Sequence, residues 1–233
     1  MKKILVRFCS FVLIIGGLFL LFNKPLRNYF IKNTGENYAI AHLSKQELEN
    51  NKRRKSSFDF NKVQSLNSEA ILKSQINGKK NNLPVIAGIA IPSVNIRLPI
   101  FKGLSNESLL YGAGTLAPDQ EMGIGNYALA SHRSDQPNLL FTPLENINMG
   151  DKIFLTDLTN VYTYQVNSKE RIEPSRVEVL EEVPDKELVT LITCGDLYAE
   201  TRLVVQGELI QTTSIRKITK EMSEAFDLPI QSY

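Results

Sequence analysis

The chain contains no tryptophan, two cysteines and two histidines in 233 residues. Its 27 basic and 25 acidic residues leave a formal charge of only +2. That balance, with no basic face interleaved with aromatics, gives no electrostatic footprint for a nucleic acid, so none is expected as a partner. The cysteines are Cys9 and Cys194, the histidines His42 and His132. Cys9 lies in a hydrophobic N-terminal run and is out of reach of the rest. A disulfide is therefore excluded, and so is a structural zinc site, which needs four Cys or His ligands. Cys194 is left as a lone thiol. The apolar fraction of 42% allows one domain of ordinary size plus extra segments.

The N-terminus carries Lys2, Lys3 and Arg7, followed by an apolar run from Phe8 to Phe22. Counted from Ile4, the run approaches the ~17–20 residues that cross a hydrocarbon core. Asn23-Lys24-Pro25-Leu26-Arg27 follows, without the small residues of a signal-peptidase site. An uncleaved signal anchor at 1–22 is expected, in the membrane through residues 4–22. The N-terminal charges place that end in the cytoplasm, and the remainder outside. Lys24, Arg27 and Lys32 on the far side weigh against this orientation.

Residues 23–82 are polar and mixed in charge, with turn signals at Asn33-Thr34-Gly35 and Asn77-Gly78. Ile40, Leu43 and Leu48 make only a thin apolar stripe between them. The stretch reads as an extracytoplasmic stalk, with His42 in it and without a catalytic role. From Leu83 the pattern changes to short Ile- and Val-rich runs punctuated by Pro92 and Pro99. Strands follow at Asn126–Ser131, Asp151–Thr156, Val161–Val166, Thr190–Cys194 and Arg202–Leu209. Seven or eight strands and little helix over 83–212 predict an all-β sandwich or small closed barrel. Residues 213–233 read as a C-terminal tail, with a short amphipathic helix at 214–227 as the other possibility.

Three chemistry-bearing residues stand at strand ends: His132, Cys194 and Arg202. If the His132 and Cys194 strands run parallel as neighbours, both side chains reach one rim. The seven residues 195–201 are enough to return the chain antiparallel and bring Arg202 beside Cys194. A thiolate is a nucleophile, an imidazole carries protons, and a guanidinium holds an oxyanion. Each also has an ordinary structural use: an inert buried thiol, a surface imidazole, a solvated ion pair.

Thr190-Leu191-Ile192-Thr193-Cys194 has the form TLxTC, which resembles the signature of sortases, class A in particular. Asn126-Tyr127-Ala128-Leu129-Ala130-Ser131-His132 resembles the segment that carries the sortase histidine, and Arg202 stands where the arginine is found. The similarity runs in consistent order from about Leu83 to Leu209, and an anchor and stalk suit the class. The resemblance implies an eight-stranded sortase-type β-barrel with short helices, behind a transmembrane helix and polar stalk. It implies a cysteine transpeptidase of Gram-positive bacteria that cleaves an LPxTG sorting signal between Thr and Gly. The secreted protein is then passed to an amine of the cell-wall precursor lipid II. Cys194 would attack, His132 would move protons, and Arg202 would hold the oxyanion, with the Gly195 N–H or Thr193 as further donors.

By the same resemblance, Arg176–Leu180 corresponds to the loop over the Leu-Pro part of the signal. Val177, Val179 and Leu180 are then substrate contacts, with Ala130 and Ile192 on the groove floor and Thr193 beside them. All five apolar residues serve equally as plain core. Some class A enzymes bind calcium. The acidic residues at the corresponding places here, Asp119 and Glu121 with Glu181, Glu182 and Asp185, are few for an ion that takes six to eight oxygens. No metal and no cofactor is expected. A cysteine hydrolase, or an anchored β-barrel binding module with an unused triad, are the alternatives.

Overall fold

A computed structural model describes residues 2–63, 83–196 and 200–229. Eight strands close into a barrel in the order β1-β2-β3-β4-β7-β8-β6-β5. They are β1 Val85–Ile91, β2 Ile96–Phe101, β3 Ala113–Thr115, β4 Asn126–Ala130, β5 Lys152–Thr156, β6 Asn160–Ile172, β7 Leu188–Cys194 and β8 Arg202–Ser214. Closure gives every strand two neighbours and removes the exposed edges that an open sheet must protect. Of the two topologies left open by the strand pattern, the barrel is the one adopted.

The two most apolar strands have ladders on both sides and covered faces. All seven residues of β1 are buried, as are the first six of β7. Such strands read as continuous hydrophobic runs, because neither face meets water. Ile89, Ile100, Leu129, Phe141, Leu191 and Val205 belong to the barrel core. Two pairings, β2 with β3 and β4 with β7, are parallel; the other six are antiparallel.

A second apolar layer lies outside the barrel, and it revises the expected stalk and tail. Helix α1 (Lys2–Glu36) places Ile31 in this layer, where it is buried with Ile40, Leu48, Phe101, Phe154 and Phe226. Helix α2 (Lys45–Lys52) starts at a reciprocal capping box between Ser44 and Glu47. Its Leu48 is fully buried, and Asn51 donates to the Val85 carbonyl at 2.9 Å. The thin stripe of Ile40, Leu43 and Leu48 is thus enough to dock the segment on the barrel. The turn expected at Asn77-Gly78 lies outside the described residues. Short helix α3 (Asn106–Leu109) is capped by Ser105, whose hydroxyl accepts from the Ser108 N–H at 3.0 Å. Beyond β8, helix α4 (Lys220–Phe226) is capped by Thr219 and buries Met222 and Phe226. Of the two readings of 213–233, the amphipathic helix is the one found.

Helix α1 crosses the stretch 1–22 expected as a membrane span. Many side chains there lie outside the description, and among the described residues no helix is long and apolar enough to cross a membrane.

Candidate active site

Three strands, β4, β7 and β8, position the site. In the parallel β4–β7 ladder Ala130 pairs with Ile192, and the Ser131 N–H extends the pairing to the Ile192 carbonyl at 3.2 Å. His132 is two residues beyond Ala130, and Cys194 two beyond Ile192. The two-residue period of a strand therefore sends His132 and Cys194 out on the same face. In the antiparallel β7–β8 ladder Cys194 pairs with Arg202. The neighbouring residues Leu129, Leu191 and Leu203 point the other way, into the core. The outer face of this three-stranded patch forms a groove lined by Ala130, Ser131, His132, Ile192, Cys194 and Arg202. Both conditions set by the sequence, parallel neighbours and an antiparallel return, are met.

The β7–β8 turn is held from within. The Asp196 carboxylate accepts from the Glu200 N–H at 3.0 Å, the Thr201 N–H at 2.8 Å and the Thr201 hydroxyl at 2.7 Å. The Gly195 N–H donates to the Thr201 carbonyl at 2.9 Å. The Gly195 amide, expected as a further oxyanion donor, is engaged here in closing the turn. The Thr193 hydroxyl is buried without a hydrogen-bond partner among the described residues. Strand alternation turns it away from the Cys194 face, although Thr193 borders the groove.

The electrostatics favour an uncharged pair. Cys194 is a free, half-buried thiol. Loss of hydration raises its pKa above the ordinary thiol value, and the charge of Asp196 adds to this. The Arg202 and Arg133 guanidiniums oppose the shift without cancelling it. Burial pushes the His132 imidazole down to about 4. At neutral pH the resting pair is therefore thiol and neutral imidazole.

The substrate-loop candidates divide. Val179 and Leu180 pack against a cluster of Ile172, Ile192 and Val204 that continues the groove floor. Val177 is 64% exposed and stands apart from it. A buried polar hub fixes this loop. Thr190 donates to the Asn126 side-chain carbonyl at 2.6 Å and accepts from Gln206 at 3.0 Å. The Asn126 and Gln206 amides both reach the Val179 carbonyl, at 3.0 and 3.2 Å. The threonine that opens TLxTC thus anchors the loop beside the groove.

Sequence reasoning missed the groove's cover. Phe60 and Val63 line the same cavity as His132, Cys194 and Arg202, and the Phe60 ring centroid lies 5.9 Å from the Arg202 guanidinium carbon. Val63 packs on Leu104, Leu109 and Ala130. The segment is tied down where the Leu104 N–H donates to the Ser57 carbonyl at 2.7 Å. Gly103, at φ +77°, permits the approach: a Cβ there would sit 2.4 Å from that oxygen. The cavity left is about 110 Å³, well below the ~300 Å³ of a small ligand site. Local sequence held no signal for this contact, because residues 57–63 bear no motif.

No group of three or more His, Cys, Asp or Glu residues is arranged to hold a metal among the described residues.

The comparisons with known proteins agree with this arrangement. The sortase domain family matches residues 89–210. Sortase A of Streptococcus agalactiae is 45% identical, over 97% of this chain and 95% of the relative. Sortase A of Listeria monocytogenes is 36% identical, over 93% and 96%. The crystal structure of Listeria monocytogenes sortase A superposes with a TM-score of 0.57 at 40% identity, covering 61% of this chain and 96% of that one. The chain belongs to the sortase family of cysteine transpeptidases, and within it to class A.

Proposed function

We propose that the protein cleaves an LPxTG sorting signal between Thr and Gly and transfers the threonyl carbonyl to an amine of lipid II. The observation that carries this reading is the register that brings His132, Cys194 and Arg202 to one groove. Its apolar floor of Ala130, Ile192 and Val204, with Val179 and Leu180 at the side, suits a Leu-Pro dipeptide.

The reaction starts from the neutral pair. Cys194 passes its proton to His132 as Sγ attacks the threonine carbonyl carbon, and the carbonyl oxygen becomes an oxyanion. Arg202, opposite Cys194, stabilises that charge. The C–N bond to glycine then breaks, the His132 imidazolium protonates the departing amine, and a thioester remains on Cys194. The acceptor amine attacks the thioester, gives its proton to neutral His132, and forms the new amide. His132 returns the proton to the departing Cys194 sulfur. No metal takes part, and the rate should be indifferent to calcium.

Residues 4–22 would anchor the enzyme in the membrane, with a cytoplasmic N-terminus and the barrel outside. The apolar run and the exposed side chains of Ile4, Phe11, Leu13 and Ile14 support that placement.

The full chain, incubated with an LPxTG peptide and an amine acceptor, tests the reading. It should yield the threonyl amide, and Cys194→Ala should yield none. Free threonine acid as the sole product, undiminished by added amine, would indicate a hydrolase. Wild-type chain that binds the peptide without cleaving it would indicate a binding module.

A further inference from the structure

Beside the groove lies a charged cluster that the reaction above does not use. Arg133, the residue after His132, donates to Glu145 at 2.7 Å and to the Gly195 carbonyl at 3.2 Å. Arg171, on β6, donates to both Glu145 carboxylate oxygens, at 2.6 and 2.7 Å, and also to the Gly195 carbonyl. Gly195 follows Cys194 directly. One carbonyl next to the nucleophile is thus gripped by two guanidiniums, and one carboxylate grips both of those.

The arrangement is built more firmly than a surface ion pair, which contributes little. Glu145 sits in a short 3₁₀ turn, Thr142–Asn146, whose Glu145 carbonyl accepts from Lys169 at 2.7 Å. Lys169 and Arg171 are two apart on β6, so one strand face holds both the turn and its carboxylate. The Arg133 side chain is only 18% exposed. Its Nε is buried without a hydrogen-bond partner among the described residues, a cost that a solvated pair would avoid. At Gly195 a Cβ would lie 2.2 Å from the Thr201 hydroxyl and 3.0 Å from the Arg171 guanidinium. A side chain there would push the clamp apart.

We propose that Arg133, Glu145 and Arg171 are positioning residues that lock the His132 loop to the Cys194 turn through the Gly195 carbonyl. The brace holds thiol and imidazole at the spacing proton transfer needs. Small misplacements of reacting groups are costly, up to about a hundredfold per ångström. This inference rests on the assignment of Cys194 and His132 as nucleophile and proton carrier. The brace also sets a field. The charged groups acting on Cys194 are Arg202, Asp196 and Arg133, with His132 in the same groove. Glu145 neutralises Arg133 and Arg171, so removing its charge leaves the guanidiniums to favour the thiolate.

Glu145→Gln keeps the shape and removes the charge. In the full chain, iodoacetamide labelling of Cys194 against pH, read by mass spectrometry of its peptide, should show the midpoint fall by about half a pH unit. In LPxTG transpeptidation, kcat should fall at least about fivefold with KM within about twofold. A midpoint and a kcat equal to wild type would overturn the proposal. If Glu145→Gln does not fold by circular dichroism, Arg171→Gln decides, since that side chain is 45% exposed. It should lower kcat with KM unchanged, and Arg171→Lys should not restore it, because an ammonium cannot hold the carboxylate and the carbonyl together. Wild-type kcat in Arg171→Gln would overturn the proposal. A wild-type chain without transpeptidation would instead defeat the functional reading, while the labelling midpoint would still report on the brace.

Discussion

Cys194 and Arg202 face each other across the β7–β8 ladder, as one directly opposed pair. Their proximity is a property of backbone register, so it is present before substrate arrives. A preorganised charge costs no reorganisation at the moment of reaction. The Phe60 ring, at 5.9 Å, also lies against that guanidinium, and a sorting signal bound as proposed would share or displace this contact.

Arg202→Lys keeps a positive charge but loses the planar fork. Transpeptidation should fall by ~10²–10³, the usual loss when one oxyanion donor is removed. Thermal unfolding should change little, which separates lost chemistry from lost fold.

His132 titrates far below its unfolded value, at about 4 against about 6.5. Between those values the unfolded chain binds a proton that the native state refuses. Stability from this residue is therefore present above about pH 6.5 and lost as pH falls toward 4, by up to about 3 kcal/mol. Urea unfolding at pH 7 and pH 4.5 should show a larger acid loss in wild type than in His132→Gln.

Thr190→Val removes one partner each from Asn126 and Gln206. Buried amides left unsatisfied cost about 1–3 kcal/mol. The loop bearing Val179 and Leu180 should loosen and KM for the peptide rise. Thr190→Ser should recover most of both, as it keeps the hydroxyl.

Phe60→Ala should open the 110 Å³ cavity toward Cys194. Alkylation of that thiol in the full chain should speed up several-fold, with an unchanged pH midpoint. An unchanged rate would mean that Phe60 does not limit access.

Phe226→Ala tests the C-terminal helix. The ring is 1% exposed in the layer between helix and barrel. Its loss should cost about 3–5 kcal/mol, read as a lowered Tm. A solvated tail would give no change.

The strands were legible because alternation and Ile/Val runs are written in adjacent residues, as in β1 and β7. The candidate site was legible through the resemblance of Thr190–Cys194 and Asn126–His132 to sortase segments; strand ends alone left ordinary structural uses of His132, Cys194 and Arg202 open. The docking of α2 was not legible. Leu48 looks isolated in a polar helix, and only the apolar layer it shares with Val85, Ala90 and Phe226 makes it core. The Phe60 cover and the Glu145 brace carry no motif.

The amino-acid sequence by itself placed His132, Cys194 and Arg202 at or just beyond strand ends, since side-chain chemistry and two-residue periodicity are local properties. Tertiary structure alone decided the barrel over the sandwich, the closure of the groove by Phe60, and the capture of the Gly195 amide by Thr201. It also decided the clamp on Gly195, whose bonds join residues 12, 26 and 62 apart in sequence. Contacts at such separations depend on how the whole chain closes, and no local window of sequence specifies them.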